Sequence, residues 1–202
     1  MAPTTPNAIK AFVDRVAKLP GIGPRQAMRL AFHLVGQGHG NVHALAKAVS
    51  DLEKLKVCNR CYFVHDDLGA LCGICADPKR DHGQIAIVEK ETDLTSIERT
   101  KRFHGRYLVL GELTKTGFLD TEKKLRLKSL THWIEKELGG KAREIILAIS
   151  PTAAGDLNAS LLAKELRPYA LRFTRLGRGI PTGGEIEFAD EETLVSALER
   201  RN

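Results

Sequence analysis

Four cysteines, a pair of arginines beside two glycines, and two separated carboxylates are the residues of this 202-residue chain that could do chemistry. The cysteines stand as Cys58-Asn59-Arg60-Cys61 and Cys72-Gly73-Ile74-Cys75, with ten residues between the pairs. Each Cys-x-x-Cys puts two thiols on one tight turn, and two facing turns make a tetrahedral cage. Zinc takes four thiolates at about 2.3 Å and then has no open position, so the predicted site is structural. The spacer can form a small hairpin, with Gly69 and Gly73 supplying turns. Two other chemistries fit the residue types: a pair of redox dithiols and a disulfide framework. A redox dithiol needs one motif after a strand, not two that face each other. Met1–Lys18 holds no continuous apolar run, so no secretory signal is expected. The chain is therefore expected in a reducing cytoplasm, where paired cysteines bind metal. The residue types alone leave zinc and iron open.

The arginines belong to the run Leu19-Pro20-Gly21-Ile22-Gly23-Pro24-Arg25, with Arg29 four residues on. Gly21 and Gly23 allow a backbone to approach closely. Pro24 suits the first turn of a helix, whose free N–H groups can point at a phosphate. Arg25 and Arg29 lie one turn apart, so both can reach the same anionic strand. The bland alternative is an ordinary helical hairpin whose glycines only turn the chain. The carboxylates are Glu89, at the end of an apolar run, and Asp156, within Ser150-Pro151-Thr152-Ala153-Ala154-Gly155-Asp156. Glu89 also suits a strand-end residue paired with a lysine, and Asp156 a plain helix N-cap.

Patterning places these residues on elements. Ile9, Phe12, Val13 and Val16 predict a helix that stops at Leu19-Pro20-Gly21. Ala27, Leu30, Ala31 and Leu34 stripe a second helix. Residues 42–55, with Val42, Leu45, Ala46, Val49 and Leu52, predict a third that packs on the first two as a small bundle. Gly36, Gly38 and Gly40 predict a loop, and His33, His39 and His43 fit no metal spacing. After the cysteines, residues 77–83 read as a polar linker. Strands are then expected at 85–89, 107–110, 144–149 and 171–176, and helices at 92–102, 123–138 and 157–167. Alternating strands and helices imply a largely parallel sheet covered on both faces. Its sites lie beyond the carboxyl ends of the strands, where Glu89 and the 150–156 loop fall. Lys115-Thr116 lacks the glycine loop of a nucleotide phosphate site. Residues 177–185 form a glycine-rich turn, 186–188 a short strand, and Asp190 opens a last helix.

The charge of +6 and pI of about 9.2 favour a polyanionic partner such as nucleic acid. No apolar run approaches the ~20 residues of a membrane span. The expected divisions are a helical domain at 1–56, a zinc ribbon at 57–82, a sheet domain at 83–168 and a strand–helix tail at 169–202.

The hairpin run resembles the helix-hairpin-helix motif of sequence-independent DNA binders. The sheet resembles a Toprim domain, which places a glutamate after its first strand and an Asp-x-Asp after a later one to hold magnesium. Glu89 matches the glutamate, but Ser150 and Thr152 stand at the aspartates and Asp156 keeps one acid, so the enzyme is expected to be absent. The ordered set resembles the RecR family of bacterial recombination mediators. It comprises Leu19–Pro24, the four cysteines with Ala76–Asp81, Ile87-Val88-Glu89, Pro151-Thr152, and Arg178–Glu185 with Thr193-Leu194 downstream. The resemblance implies a non-catalytic mediator, assembled as a homodimer or homotetramer ring, that clamps gapped or junction DNA. It further implies action with RecO and RecF to help RecA replace single-strand binding protein, in a nucleoid-associated setting. Gly21, Gly23, Arg25 and Arg29 carry over as DNA contacts, and Glu89 and Asp156 as candidates for the partner face. Two departures stand out. Ala154-Gly155-Asp156 replaces a usual Glu-Gly-Glu, and the segment at 111–120 is short. The rivals are a magnesium-dependent nuclease or nicking enzyme using Glu89 and Asp156, and a zinc-ribbon interaction protein whose charge is incidental.

Overall fold

The computed structural model describes residues 4–199 and 201. The described residues form two compact units that meet between Leu55 and Lys56.

The first unit is helical. Helix α1 (Asn7–Val16) buries Ile9, and α2 (Pro24–Gly36) buries Ala27 and Ala31. Two alanines one turn apart leave no side-chain bulk, so α1 and α2 pack closely. Helix α3 (His39–Asp51) follows after only Gln37 and Gly38, and Gly38 takes a left-handed φ of 85°. The expected glycine loop is thus two residues long, and Gly40 is helical. The expected three-helix bundle is not closed either. Helix α3 buries no residue, and its stripe stays open, with Val49 59% and Leu52 63% exposed. Leu52–Lys54 form a 3-10 turn at its end.

The second unit opens with a hairpin, β1 (Lys56–Val57) antiparallel to β2 (Val64–His65), and a single turn α4 (Gly73–Ala76). Four strands then form one parallel sheet. They are β3 (Asp81–Val88), β4 (Gly105–Val109), β5 (Glu144–Ala148) and β6 (Phe173–Arg175), in the order β4-β3-β5-β6. Between them run α5 (Glu91–Arg99), α6 (Thr121–Glu137) and α7 (Ala153–Leu166), and α8 (Glu191–Glu199) closes the chain.

Alternation along the strands builds two cores. Ile85, Ile87, Leu108, Ile145 and Leu147 point to one face, against Leu127, Leu130 and Ile134 of α6 and Leu162 and Leu166 of α7. Ala86, Val88, Tyr107, Val109 and Ala148 point to the other, against Leu94 of α5 and all four cysteines. The strands are therefore covered on both faces, as their apolar runs implied.

Several expected boundaries move for local reasons. Strand β3 begins at Asp81 inside the expected linker, because a bulge lets Asp81 pair with Gly105. Helix α7 begins at Ala153, capped by Thr152, whose hydroxyl accepts the Gly155 N–H at 3.0 Å. Asp156 is therefore inside the first turn rather than at the N-cap. Ile186–Phe188 form a 3-10 turn, not a strand. The tail's strand is β6, and Asp190 caps α8 by accepting the Thr193 N–H at 2.9 Å.

Candidate metal centre and nucleic-acid interface

Both cysteine turns close in the same way. The Cys58 carbonyl accepts the Tyr62 N–H at 3.0 Å, and the Cys72 carbonyl accepts the Ala76 N–H at 2.9 Å. The β1–β2 hairpin and the Asn59 N–H bond to the Ala70 carbonyl, 3.0 Å, bring the turns face to face. The four Sγ atoms lie within 4.8 Å of one another, all buried, with Cys61 and Cys72 sulfurs 3.5 Å apart. Tetrahedral thiolates about 2.3 Å from one ion would stand roughly 3.8 Å apart, so the cage fits a four-coordinate metal. The Cys72 N–H donates to the Cys58 sulfur at 3.4 Å, an interaction that favours a thiolate there. Bonds shared with Cys61, Cys72 and Cys75 hold the Cys58 thiol far below its ordinary value, and the bond to Cys58 pushes Cys61 up. A divalent ion lets all four ionise.

The cage is joined to the sheet. The Val109 N–H of the edge strand β4 donates to the Cys61 carbonyl at 2.8 Å. Arg106, buried on β4, donates to the Cys75 carbonyl and contacts the His82 ring. Arg126 of α6 donates to the Val109 carbonyl at 2.9 Å and lies over the Tyr62 ring, 4.9 Å from its centre. The cage thus covers the free edge of β4, which a bare parallel sheet would leave unpaired. No local sequence pattern marks Arg106 or Arg126. Arg106 gains its role from the second knuckle, through the Cys75 carbonyl, and Arg126 from the first, through Val109 and Tyr62.

The hairpin residues come together in the first unit. Gly21 has φ 76°, which favours glycine, while Gly23 is the N-cap of α2 with ordinary extended geometry. A Cβ at either position would meet nothing within 4 Å, so this backbone is open to approach. No side chain caps α2, Pro24 has no N–H, and the Arg25 and Gln26 N–H groups find no acceptor among the described residues. Arg25 and Arg29 are both exposed on α2 and have no acidic partner among those residues. Up to Leu55 the sequence carries seven Lys and Arg against three Asp and Glu, so this small unit is basic. The arrangement offers unsatisfied donors at a helix start beside two free cations.

At the carboxyl end of the sheet, Glu89 directly follows β3, and its carbonyl accepts the Gly111 N–H at 3.1 Å. Its side chain has no ion-pair partner among the described residues, and the nearby Lys90 pairs instead with Glu112 at 3.6 Å. Asp156 is bonded by Arg175 and by Arg178, and Arg178 also bonds Glu192 of α8. The Arg175 guanidinium, with Arg178 beside it, holds the Asp156 carboxyl below the usual carboxylate range. Ser150, Arg175 and Arg178 line a cavity of about 330 Å³ here. Two guanidinium groups thus occupy the charge of the one acid left near the Asp-x-Asp position. Among the described residues, three or more Cys, His, Asp or Glu ligand atoms converge only at the cysteines. The sequence places Arg178 in a glycine-rich turn and in the run that carries the family resemblance, and neither points to its ion pair with Asp156. One arginine at the end of β6 and another three residues on are the available signal.

A parallel sheet with helices on both faces, a four-cysteine cage on its edge and a helical hairpin before it define a hairpin-bearing protein of the Toprim class. Residues 83–177 match the Toprim domain model, residues 9–52 match "RecR, helix-hairpin-helix", and residues 179–202 match "RecR, C-terminal". The recombination protein RecR of Frankia alni is 40% identical over 195 residues, which cover 96% of this chain and 95% of that protein. RecR of Chloroflexus aurantiacus is 40% identical over 195 residues, 96% of this chain and 93% of that protein. RecR of Bifidobacterium animalis subsp. lactis is 38% identical over 202 residues, all of this chain and 98% of that protein. The chain belongs to the RecR family of recombination proteins. Among the described residues, no helix is long and apolar enough to cross a membrane.

Proposed function

We propose that the protein is a non-catalytic, DNA-binding recombination mediator. The observation that carries this reading is the open hairpin. Gly21 and Gly23 present bare backbone, α2 begins with unused N–H groups, and Arg25 and Arg29 stand free one turn apart. These groups recognise phosphate rather than base edges, so binding is sequence-independent. The target is gapped duplex or a single-strand/double-strand junction. Zinc in the cage of Cys58, Cys61, Cys72 and Cys75 is structural, because four thiolates leave it no open position. The work divides among a helical domain at 1–56 that grips DNA, a zinc ribbon at 57–82, a Toprim domain at 83–168, and a tail at 169–202. Copies assemble as a dimer or ring-like tetramer around DNA in the bacterial nucleoid. The carboxyl end of the sheet, with Glu89 and Asp156, meets a RecO-type partner, with a RecF-type protein where one exists. Ion pairing of Asp156 by two arginines supports a binding face over a magnesium centre.

The test is binding to a gapped duplex with magnesium present, for wild type and Arg25→Glu/Arg29→Glu, at two salt concentrations, with the recovered DNA on a denaturing gel. Four neutralised phosphates would weaken binding roughly a hundredfold for a fourfold rise in salt. Intact DNA, that salt response, and loss of binding in the variant are expected. Nicked DNA would establish the nuclease instead, and binding indifferent to both arginines would leave only an interaction protein.

A further inference from the structure

Within the second unit, a cleft of about 330 Å³ lies between the first cysteine turn, β4 and α6. Arg60 and Leu71 come from the cysteine segment, Arg106 from β4, and Trp133, Lys136 and Glu137 from α6. Its charge is lopsided. Three cations face one acid, and that acid, Glu137, is already bonded to Arg60 at 2.8 Å. Lys136 is exposed and has no acidic partner among the described residues. Arg106 Nε and Trp133 Nε1 are buried N–H donors with no partner. The cleft therefore carries an excess of positive charge and suits an anionic ligand.

The Arg60 guanidinium lies over the Trp133 ring, 5.4 Å from its centre. A guanidinium carried on an indole is a platform on which a nucleobase can stack. Inorganic phosphate would use the positive charge but leave that platform and the apolar Leu71 wall unused. A nucleotide uses all of them. The volume is at the lower end of the ligand-pocket range of about 300–1,000 Å³, which suits one nucleotide and not a duplex. We propose that this cleft is a single-nucleotide subsite for single-stranded DNA. A base stacks on the Arg60–Trp133 pair, and Lys136 holds the adjoining phosphate. The proposal rests on the DNA-binding reading above and adds a second contact on the other compact unit.

Trp133 is the only tryptophan in the chain, so its emission reports this cleft. The full-length protein is titrated with unlabelled oligo-dT, and in parallel with inorganic phosphate and polyglutamate. Anisotropy of a labelled gapped duplex records DNA binding anywhere on the protein. Oligo-dT should change Trp133 emission saturably, and Arg25→Glu/Arg29→Glu should keep that change. Lys136→Glu should weaken it about tenfold and lower the salt slope by about one. Glu137→Gln should tighten it, which keeps the test decisive if Lys136→Glu does not fold. Emission unmoved by oligo-dT, moved equally by phosphate or polyglutamate, or indifferent to both α6 substitutions would overturn the subsite. Normal anisotropy with silent Trp133 emission overturns the subsite alone. No anisotropy change with any DNA overturns the DNA-binding reading and the subsite with it.

Discussion

Gly155→Ala tests how the loop at the carboxyl end of the sheet is built. A Cβ at Gly155 would lie 2.0 Å from the Ser150 carbonyl oxygen and 3.2 Å from its carbon. Carbon–oxygen contacts close at about 3.3 Å, so the loop and the first turn of α7 must separate by roughly 1 Å. That movement strains the cap in which Thr152 accepts the Gly155 N–H, a cap worth about 1 kcal/mol. Overpacking adds about 1–3 kcal/mol. The helix propensity of alanine returns at most about 1 kcal/mol. The balance is a loss of about 1–3 kcal/mol in the second unit. Urea unfolding followed by Trp133 emission measures it, because that tryptophan lies in the same unit. Gly40→Ala is the control. Gly40 is also helical, but a Cβ there meets nothing within 4 Å, and it lies in the first unit. It should leave the Trp133 transition unmoved while stabilising α3 by up to ~1 kcal/mol. A Gly155→Ala midpoint equal to or above wild type would refute the close-approach argument.

Three further outcomes follow from the sites. Metal analysis of the purified protein should give one tetrahedral ion per chain, and Cys72→Ser should lower that occupancy. Because the cage covers the β4 edge, Cys72→Ser should also make the protein protease-sensitive or aggregation-prone; an unchanged melting curve and elution profile would count against this. Asp156 has a folded-state value depressed by Arg175 and Arg178, so its contribution is present above the ordinary carboxylate value and is lost as pH falls through the depressed one. Asp156→Asn should therefore lower stability near neutral pH and flatten the acid limb of the stability profile. An acid limb identical to wild type would show that the arginines do not hold this carboxylate in solution.

Local chemistry made much of the chain legible. Leu19–Pro24 could only end one helix and start another, and the equal Cys-x-x-Cys turns named their own cage. Apolar runs such as Ile85–Val88 and Ile145–Ile149 were short and unbroken, which marks strands buried on both faces. Boundaries slipped where a contact from elsewhere prevailed over local preference. Asp81 became strand because Gly105 lies beside it, and Ala153 became helix because Thr152 caps it. Helix α3 was recognised by its period, but period cannot say whether a stripe finds a partner. Val49 and Leu52 found none in this unit.

What the sequence determined by itself is therefore the set of parts: hairpin, cage, parallel sheet and the loss of the Asp-x-Asp acids. Each depends on residues within a few turns of one another, where covalent spacing sets the geometry. What only the tertiary structure decided is how distant parts meet. Arg106 reaches the Cys75 carbonyl across 31 positions, Arg178 reaches Asp156 across 22, and Arg60 reaches Glu137 across 77. A long, flexible arginine can satisfy any nearby acceptor, so its partner is chosen by the packing of the elements that carry it, and no local pattern records that choice.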